Sequence, residues 1–225
     1  MKTQIYSIQT IDEAQICLDA GVDYIGLAAG ANAGLPAEIS LETGREIFSF
    51  IGNRAGKVAL SVADDPETIY IMARELKPDA VQVCGNKYAA TPSFCKKIKE
   101  IIPSIAVIQA VGITGPEVIE KALEFSEFCD RLILDSVAPG IAGIGAAGVV
   151  NDWKVCKEIV SRAKCPVILA GGLGPHNVAE AIREVRPWCV DSLTKTNLDG
   201  RMEKDPQKVK LFVKYAMETA KELGL

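Results

Sequence analysis

Asp135 closes the apolar run Leu132-Ile-Leu, a place where a charge needs a reason to exist. A carboxyl group there can move a proton in catalysis, or it can cap the turn that follows. Gln82 and Cys84 end another apolar run and stand two residues apart, so on a strand they share a face. A thiol with a free pKa of about 8.5 is a usable base once perturbed. Its plain alternative is buried filler, and Gln82 then merely pairs with another interior group. Tyr6 shares a face with Gln4 and offers a phenol, a poor resting base at neutral pH because its free pKa is about 10. Ser7, Ser61, Gln109 and Asp191 end further runs. The stretch Pro166-Val-Ile-Leu-Ala-Gly-Gly-Leu-Gly-Pro175 reads as a buried strand and a glycine turn opening a helix. Gly171 and Gly172 let the backbone approach another group closely, so this turn either holds a phosphate or is an ordinary tight connection. Thr194 and Lys195 follow the last apolar run, and a lysine there can pair with phosphate or, if desolvated, serve as an amine.

These groups need elements to position them. Strand patterns fall at roughly 3–8, 23–29, 57–62, 79–84, 105–111, 131–135, 166–170 and 188–194. Helical patterns follow each, at roughly 11–20, 41–52, 66–76, 92–101, 115–126, 151–163, 175–185 and 205–223. Thr10 with Glu13 makes a capping box, and Asp65-Pro, Thr91-Pro, Gly115-Pro and Asp205-Pro read as helix starts. Alternation of this kind implies right-handed βαβ units and a parallel sheet. Eight units in 225 residues predict one domain over 1–225, an α/β fold of the (β/α)8 TIM-barrel class. An open doubly wound sheet is the alternative, but its first turn should carry G-x-G-x-x-G, and here it reads Ile8-Gln-Thr-Ile. In a barrel all the polar strand ends named above gather on one rim. The long run from Ser136 to Val150, rich in glycine and alanine, is then a candidate lid, or a plain surface connection.

The net charge of −4 lacks the basic footprint of a nucleic-acid binder. No apolar run reaches the ~20 residues of a membrane span, and the N-terminus enters a strand pattern without a signal peptide. The 7 cysteines are widely spaced without C-x-x-C, which fits a cytoplasmic protein with reduced thiols. A single histidine, His176, excludes a histidine-rich metal site.

Several stretches, in order, resemble the phosphoribosylanthranilate isomerase family: Ala20-Gly-Val-Asp-Tyr-Ile-Gly26, Val81-Gln-Val-Cys-Gly85, Leu132-Ile-Leu-Asp135, Asn151-Asp-Trp153, Leu169-Ala-Gly-Gly-Leu-Gly-Pro175 with Asn177-Val, Val190-Asp191 and Lys204-Asp205. The resemblance implies an isomerase of tryptophan biosynthesis that opens an aminoaldose phosphate into an aminoketose, an Amadori rearrangement. It implies no cofactor and a phosphorylated small-molecule substrate, and a chain acting as monomer or homodimer. Asp135 takes the place of the family's acid, which protonates the ring oxygen. Gly171, Gly172 and Thr194 take that of the phosphate site, with Lys195 and Gln82 beside the substrate. The family's base is a cysteine on the first strand that removes the C2′ proton. Tyr6 stands in its place, so the resemblance leaves Cys84 or Tyr6 as base. Ala37 stands for a substrate-placing arginine, and Cys84 for a histidine. A paralogue acting on another phosphorylated sugar or aldehyde, or a non-catalytic phosphometabolite-binding barrel, is the alternative reading.

Overall fold

The structure is a computed structural model and describes residues 1–30, 35, 37–85, 87–137, 143–145 and 150–225. Its strands are β1 (Lys2–Ile5), β2 (Tyr24–Ala29), β3 (Glu38–Ile39), β4 (Gly56–Ser61), β5 (Ala80–Val83), β6 (Ala106–Gly112), β7 (Arg131–Asp135), β8 (Val167–Leu169) and β9 (Cys189–Ser192). All pair in parallel in the order β1-β9-β8-β7-β6-β5-β4-β2, and β1 also pairs with β2, which closes the barrel. The two-residue β3 lies outside this ring and extends the far end of β2, with Ala28 opposite Glu38. No pattern in the sequence announces it, because two residues are too few to show a period.

The helices are α1 (Ile11–Asp19), α2 (Leu41–Ile51), α3 (Pro66–Leu76), α4 (Pro92–Ile101), α5 (Ile119–Ser126), α6 (Trp153–Arg162), α7 (Val178–Val185) and α8 (Pro206–Leu223). Most start as their caps dictate. Thr10, Ser40, Asp65, Thr91, Asp152 and Asp205 each accept a backbone N–H of the first turn through the side chain. Two starts move. Gly115 has no side-chain oxygen to offer, so Pro116–Val118 forms a 3-10 turn before α5. Asn177 uses its side chain on the glycine turn before it, so α7 begins at Val178 rather than at Pro175. Among the described residues no helix is long and apolar enough to cross a membrane.

Alternation along the strands builds two cores. Outward residues such as Ile25, Leu27, Val81 and Val83 pack against helix residues such as Phe94 and Phe212. Inward residues, among them Val58, Ala80, Ile108, Ile133, Ile168 and Cys189, fill the barrel. At the N-terminal end the Arg131 guanidinium lies 5.0 Å from the Tyr24 ring centroid and 4.7 Å from that of Trp188. The two rings also touch each other, with centroids 5.7 Å apart, so Arg131 lies against an aromatic pair at the bottom of the barrel. Higher up, the Tyr6 ring crosses Gly26 so closely that a Cβ there would lie 2.5 Å from Tyr6 Cε1.

Gly26→Ala should therefore cost about 1–3 kcal/mol by overpacking a rigid ring. The double variant with Tyr6→Leu should lose less than the sum of the single changes, since the two sites share one space. Urea denaturation of the four proteins measures this coupling.

Candidate active site

Parallel closure brings the C-terminal strand ends to one rim. Asp135, at the end of β7, has Oδ1 accepting from Ser136 N (2.7 Å) and, more weakly, from Ser136 Oγ (3.4 Å). The carboxyl keeps a partly exposed edge at the mouth. Burial nonetheless dominates and pushes its pKa up to about 6, against the pull of the two Ser136 hydrogen bonds. Gly145, at φ +111°, crosses this carboxyl, and a Cβ there would lie 2.5 Å from Asp135 Oδ2. Ile144 N donates to Cys84 O at 3.0 Å, and Gly145 N to Ser136 O at 3.0 Å. Residues 143–145 thus lie over the mouth, as a lid would. Residues 138–142 and 146–149 of the glycine-rich run lie outside the described residues.

The turn after β8 faces Asp135. Gly171 and Gly172 take φ of +84° and +62°, left-handed conformations that suit glycine. Three side chains clamp the turn. Asn151 Nδ2 donates to Leu134 O (3.2 Å) and Ala170 O (3.0 Å), tying β7 to β8, and a Cβ on Gly171 would strike it. Asn177 accepts from Gly174 N (2.9 Å) and donates to Gly172 O (3.1 Å). Ser192 Oγ donates to Leu173 O at 2.6 Å. One narrow cleft is lined by Asp135, Gly171, Gly172, Asp191, Ser192 and Thr194, among others. It brings together the sequence-predicted Asp135, both glycines and Thr194.

The other expected residues stand elsewhere. Cys84 is fully buried inside the barrel, where its Sγ accepts from Gln82 Nε2 at 3.0 Å. Burial first, then the charges of Asp135 and Asp191, push this thiol up to about 12, although the Gln82 amide pulls it down. Gln82 is likewise interior. Tyr6 is 3% exposed, and its hydroxyl has no hydrogen-bond partner among the described residues. Burial, Cys84 and Asp191 hold this phenol well above its usual range. Lys195 is exposed and lines a separate outer cleft with His176, Arg201 and Lys208. It is therefore not the desolvated amine the sequence allowed, because its side chain lies in solvent. Ala37 is buried and brings no charge to the mouth.

Sequence reasoning placed Asp191 on the rim without giving it a role, and it passed over the site value of Asn151, Asn177 and Lys204. Asp191 ends the apolar Cys189-Val190 much as Asp135 ends its own run, and that parallel was the available signal. It is 5% exposed and faces the cleft. Burial and the like charge of Asp135 push it well above the usual carboxylate range, while the Gln4 amide and the Lys204 ammonium pull the other way. Lys204 is buried, and burial pushes its pKa down to about 8. Its Nζ donates to Asn197 Oδ1 (2.6 Å) and Leu193 O (3.2 Å), and its backbone N donates to Glu13 Oε1 (2.9 Å). Nothing in its sequence neighbourhood marks this lysine as buried.

Comparison with known proteins agrees with this geometry. The family model described as N-(5'phosphoribosyl)anthranilate (PRA) isomerase matches residues 4–215. The N-(5'-phosphoribosyl)anthranilate isomerase of Methanocella arvoryzae is 31% identical over 218 residues, covering 97% of this chain and 99% of the relative. The crystal structure of phosphoribosyl anthranilate isomerase from Thermotoga maritima superposes with a TM-score of 0.81 at 29% identity, covering 97% of this chain and 99% of that one. A further isomerase structure, in complex with reduced 1-(o-carboxyphenylamino)-1-deoxyribulose 5-phosphate, gives a TM-score of 0.78 at 28% identity, with coverage of 97% and 99%. The chain belongs to the N-(5'-phosphoribosyl)anthranilate isomerase family, intramolecular oxidoreductases of the aldose–ketose type that serve tryptophan biosynthesis.

Proposed function

We propose that this protein performs the family reaction, opening N-(5'-phosphoribosyl)anthranilate into the aminoketose, with Asp135 as the acid at the ring oxygen. The observation that carries this reading is the shared cleft, with a carboxyl of raised pKa on one side and a clamped glycine turn on the other. A carboxyl near pKa 6 retains a proton to give close to neutrality, which is what ring opening asks of it. Gly171, Gly172 and Thr194 hold the phosphate through the backbone of the loops where barrels often bind it. Lys195 adds positive charge at the outer edge, and Gln82 orients the Cys84 thiol. The relative solved in complex with reduced 1-(o-carboxyphenylamino)-1-deoxyribulose 5-phosphate supports a phosphorylated substrate here. The protein works in the cytoplasm, as monomer or homodimer. Cys84 and Tyr6, the two bases the sequence offers, lie buried in the barrel interior and are not among the residues lining this cleft, and burial pushes both upward.

Conversion of N-(5'-phosphoribosyl)anthranilate by the purified protein, and complementation of a strain lacking this isomerase, test the reading. Asp135→Asn should lower turnover by about 10²–10⁴ while the chain stays folded. No turnover by the unaltered protein would contradict the function.

The same variant tests the electrostatics. Asp135 is raised in the folded state, so its contribution to stability is full below its unfolded pKa and is lost as pH rises through about 6. Asn removes that loss. Thermal melts should show Asp135→Asn more stable than the parent at pH 7–8, with the gain vanishing below about pH 4.

A further inference from the structure

We propose that Asp191 is the residue that takes the C2′ proton, completing a two-carboxyl site with Asp135. The inference rests on the isomerase reading above and supplies the base that this chain lacks on β1.

Position comes first. Asp191 lines the same cleft as Asp135, Gly171, Gly172 and Thr194, and neither Tyr6 nor Cys84 is among the residues lining it. β9 is hydrogen-bonded to β1 with Asp191 opposite Gln4, so Asp191 stands one strand away from the place of the family's base. A substrate anchored by its phosphate at Gly171–Gly172 and protonated by Asp135 passes this carboxyl on its way across the mouth.

Hydrogen bonding comes second. Asp191 Oδ1 is buried and has no partner among the described residues. A carboxylate oxygen left without a donor in a dry site is costly and calls for an explanation. An oxygen reserved for a proton from substrate supplies one. Both amide atoms of Gln4, Tyr6 Oη, Gln82 Oε1 and Asn151 Oδ1 also lack a partner among the described residues, but Asp191 is the one of these residues that lines the cleft. Asn151, Asn177 and Ser192 all spend their donors on backbone carbonyls.

Charge comes third. The groups facing Asp191 are Asp135 from β7, Tyr6 beyond the end of β1, Cys84 beyond the end of β5, Cys189 from its own strand, and Lys204 from the segment before α8. Lys204 is the cation among them, and among the described residues no positive charge supports Asp135 in the same way. Two carboxyls in one dry cleft share a proton across neutrality. Asp191 is the carboxyl pushed further up, so turnover draws on the less populated arrangement, with the proton on Asp135 and the charge on Asp191, and the Lys204 ammonium is the group that favours it.

The step then balances. Asp135 gives its proton to the ring oxygen, the C1′–O bond breaks, and the nitrogen lone pair forms C1′=N. Asp191 takes the proton from C2′, the C–H electrons form C1′=C2′, and the C=N electrons return to nitrogen. The resulting enol tautomerises to the ketone, with a proton lost from oxygen and one gained at C1′. No oxidant or reductant is consumed.

The test uses the full-length protein and N-(5'-phosphoribosyl)anthranilate with hydrogen or deuterium at C2′. Asp191→Asn should lower kcat by about 10²–10⁴, leave KM within a few-fold, and enlarge the isotope effect on kcat as proton abstraction becomes limiting. Asp191→Ala should be rescued by added formate, a readout that a packing role would not move. If the Asn variant fails to fold, the Ala variant with formate decides alone. Turnover of Asp191→Asn within threefold of the parent, or no rescue by formate, overturns the assignment. A loss with Cys84→Ser that Asp191→Asn does not share gives the role to the thiol. Absence of turnover in the unaltered protein overturns the isomerase reading itself, an outcome distinct from an active parent with an indifferent Asp191.

Discussion

Pairing of β1 with both β9 and β2 is the constraint on which the rest of the molecule depends. An open sheet would leave β1 and β2 as unpaired edges and spread the strand ends along a line. Closure turns that line into a ring. It sets Asp135, the β8 glycine turn and Asp191 around one mouth, with β8 alone between β7 and β9. It also buries the inward-facing groups, and that burial is the largest single influence on the titrating groups of the site. Asp135, Asp191, Cys84 and Tyr6 are all shifted upward with burial as the largest cause. At the other end of the barrel Arg131 lies against the Tyr24 and Trp188 rings.

The fold bears a cost for this arrangement. Buried carboxyls, and a phenol and a Gln82 Oε1 without partners among the described residues, all work against stability. The surrounding chain compensates with rigid supports. Asn151, Asn177 and Ser192 fix the backbone of the glycine turn and its flanks by donating to main-chain carbonyls. Lys204 and Glu13 fasten the segment before α8 to the start of α1, and so hold the last strand end in place. Such second-tier contacts make a site precise although they touch no substrate.

The barrel was largely legible in the sequence because its signals are local. Unbroken apolar runs mark strands covered on both faces, and side-chain caps with a following proline mark helix starts. Boundaries failed where a long-range contact intervened. Ser7 takes a left-handed φ of +63°, so β1 ends at Ile5 although the apolar pattern runs on to Ile8. Asn177 serves the glycine turn rather than its own helix. Asp135 and the glycine turn were legible for a related reason: a charge after Leu-Ile-Leu and a cluster of glycines are anomalies visible within a few residues. The partners of those groups were not. The burial of Lys204, the tie of Cys84 to Gln82 and the closeness of Asp191 to Asp135 come from chain segments far apart in sequence. Only the closed ring brings them together.

The central claim is that substrate lies in the cleft between the β8 glycine turn and the two carboxyls. A crystal structure of this protein with the reduced 1-(o-carboxyphenylamino)-1-deoxyribulose 5-phosphate tests it most directly. The account predicts phosphate on the backbone of Gly171, Gly172 and Thr194, the former ring oxygen within hydrogen-bond reach of Asp135, and C2′ facing Asp191. Phosphate bound in the outer cleft beside Lys195 and Arg201, with the glycine turn empty, would contradict it.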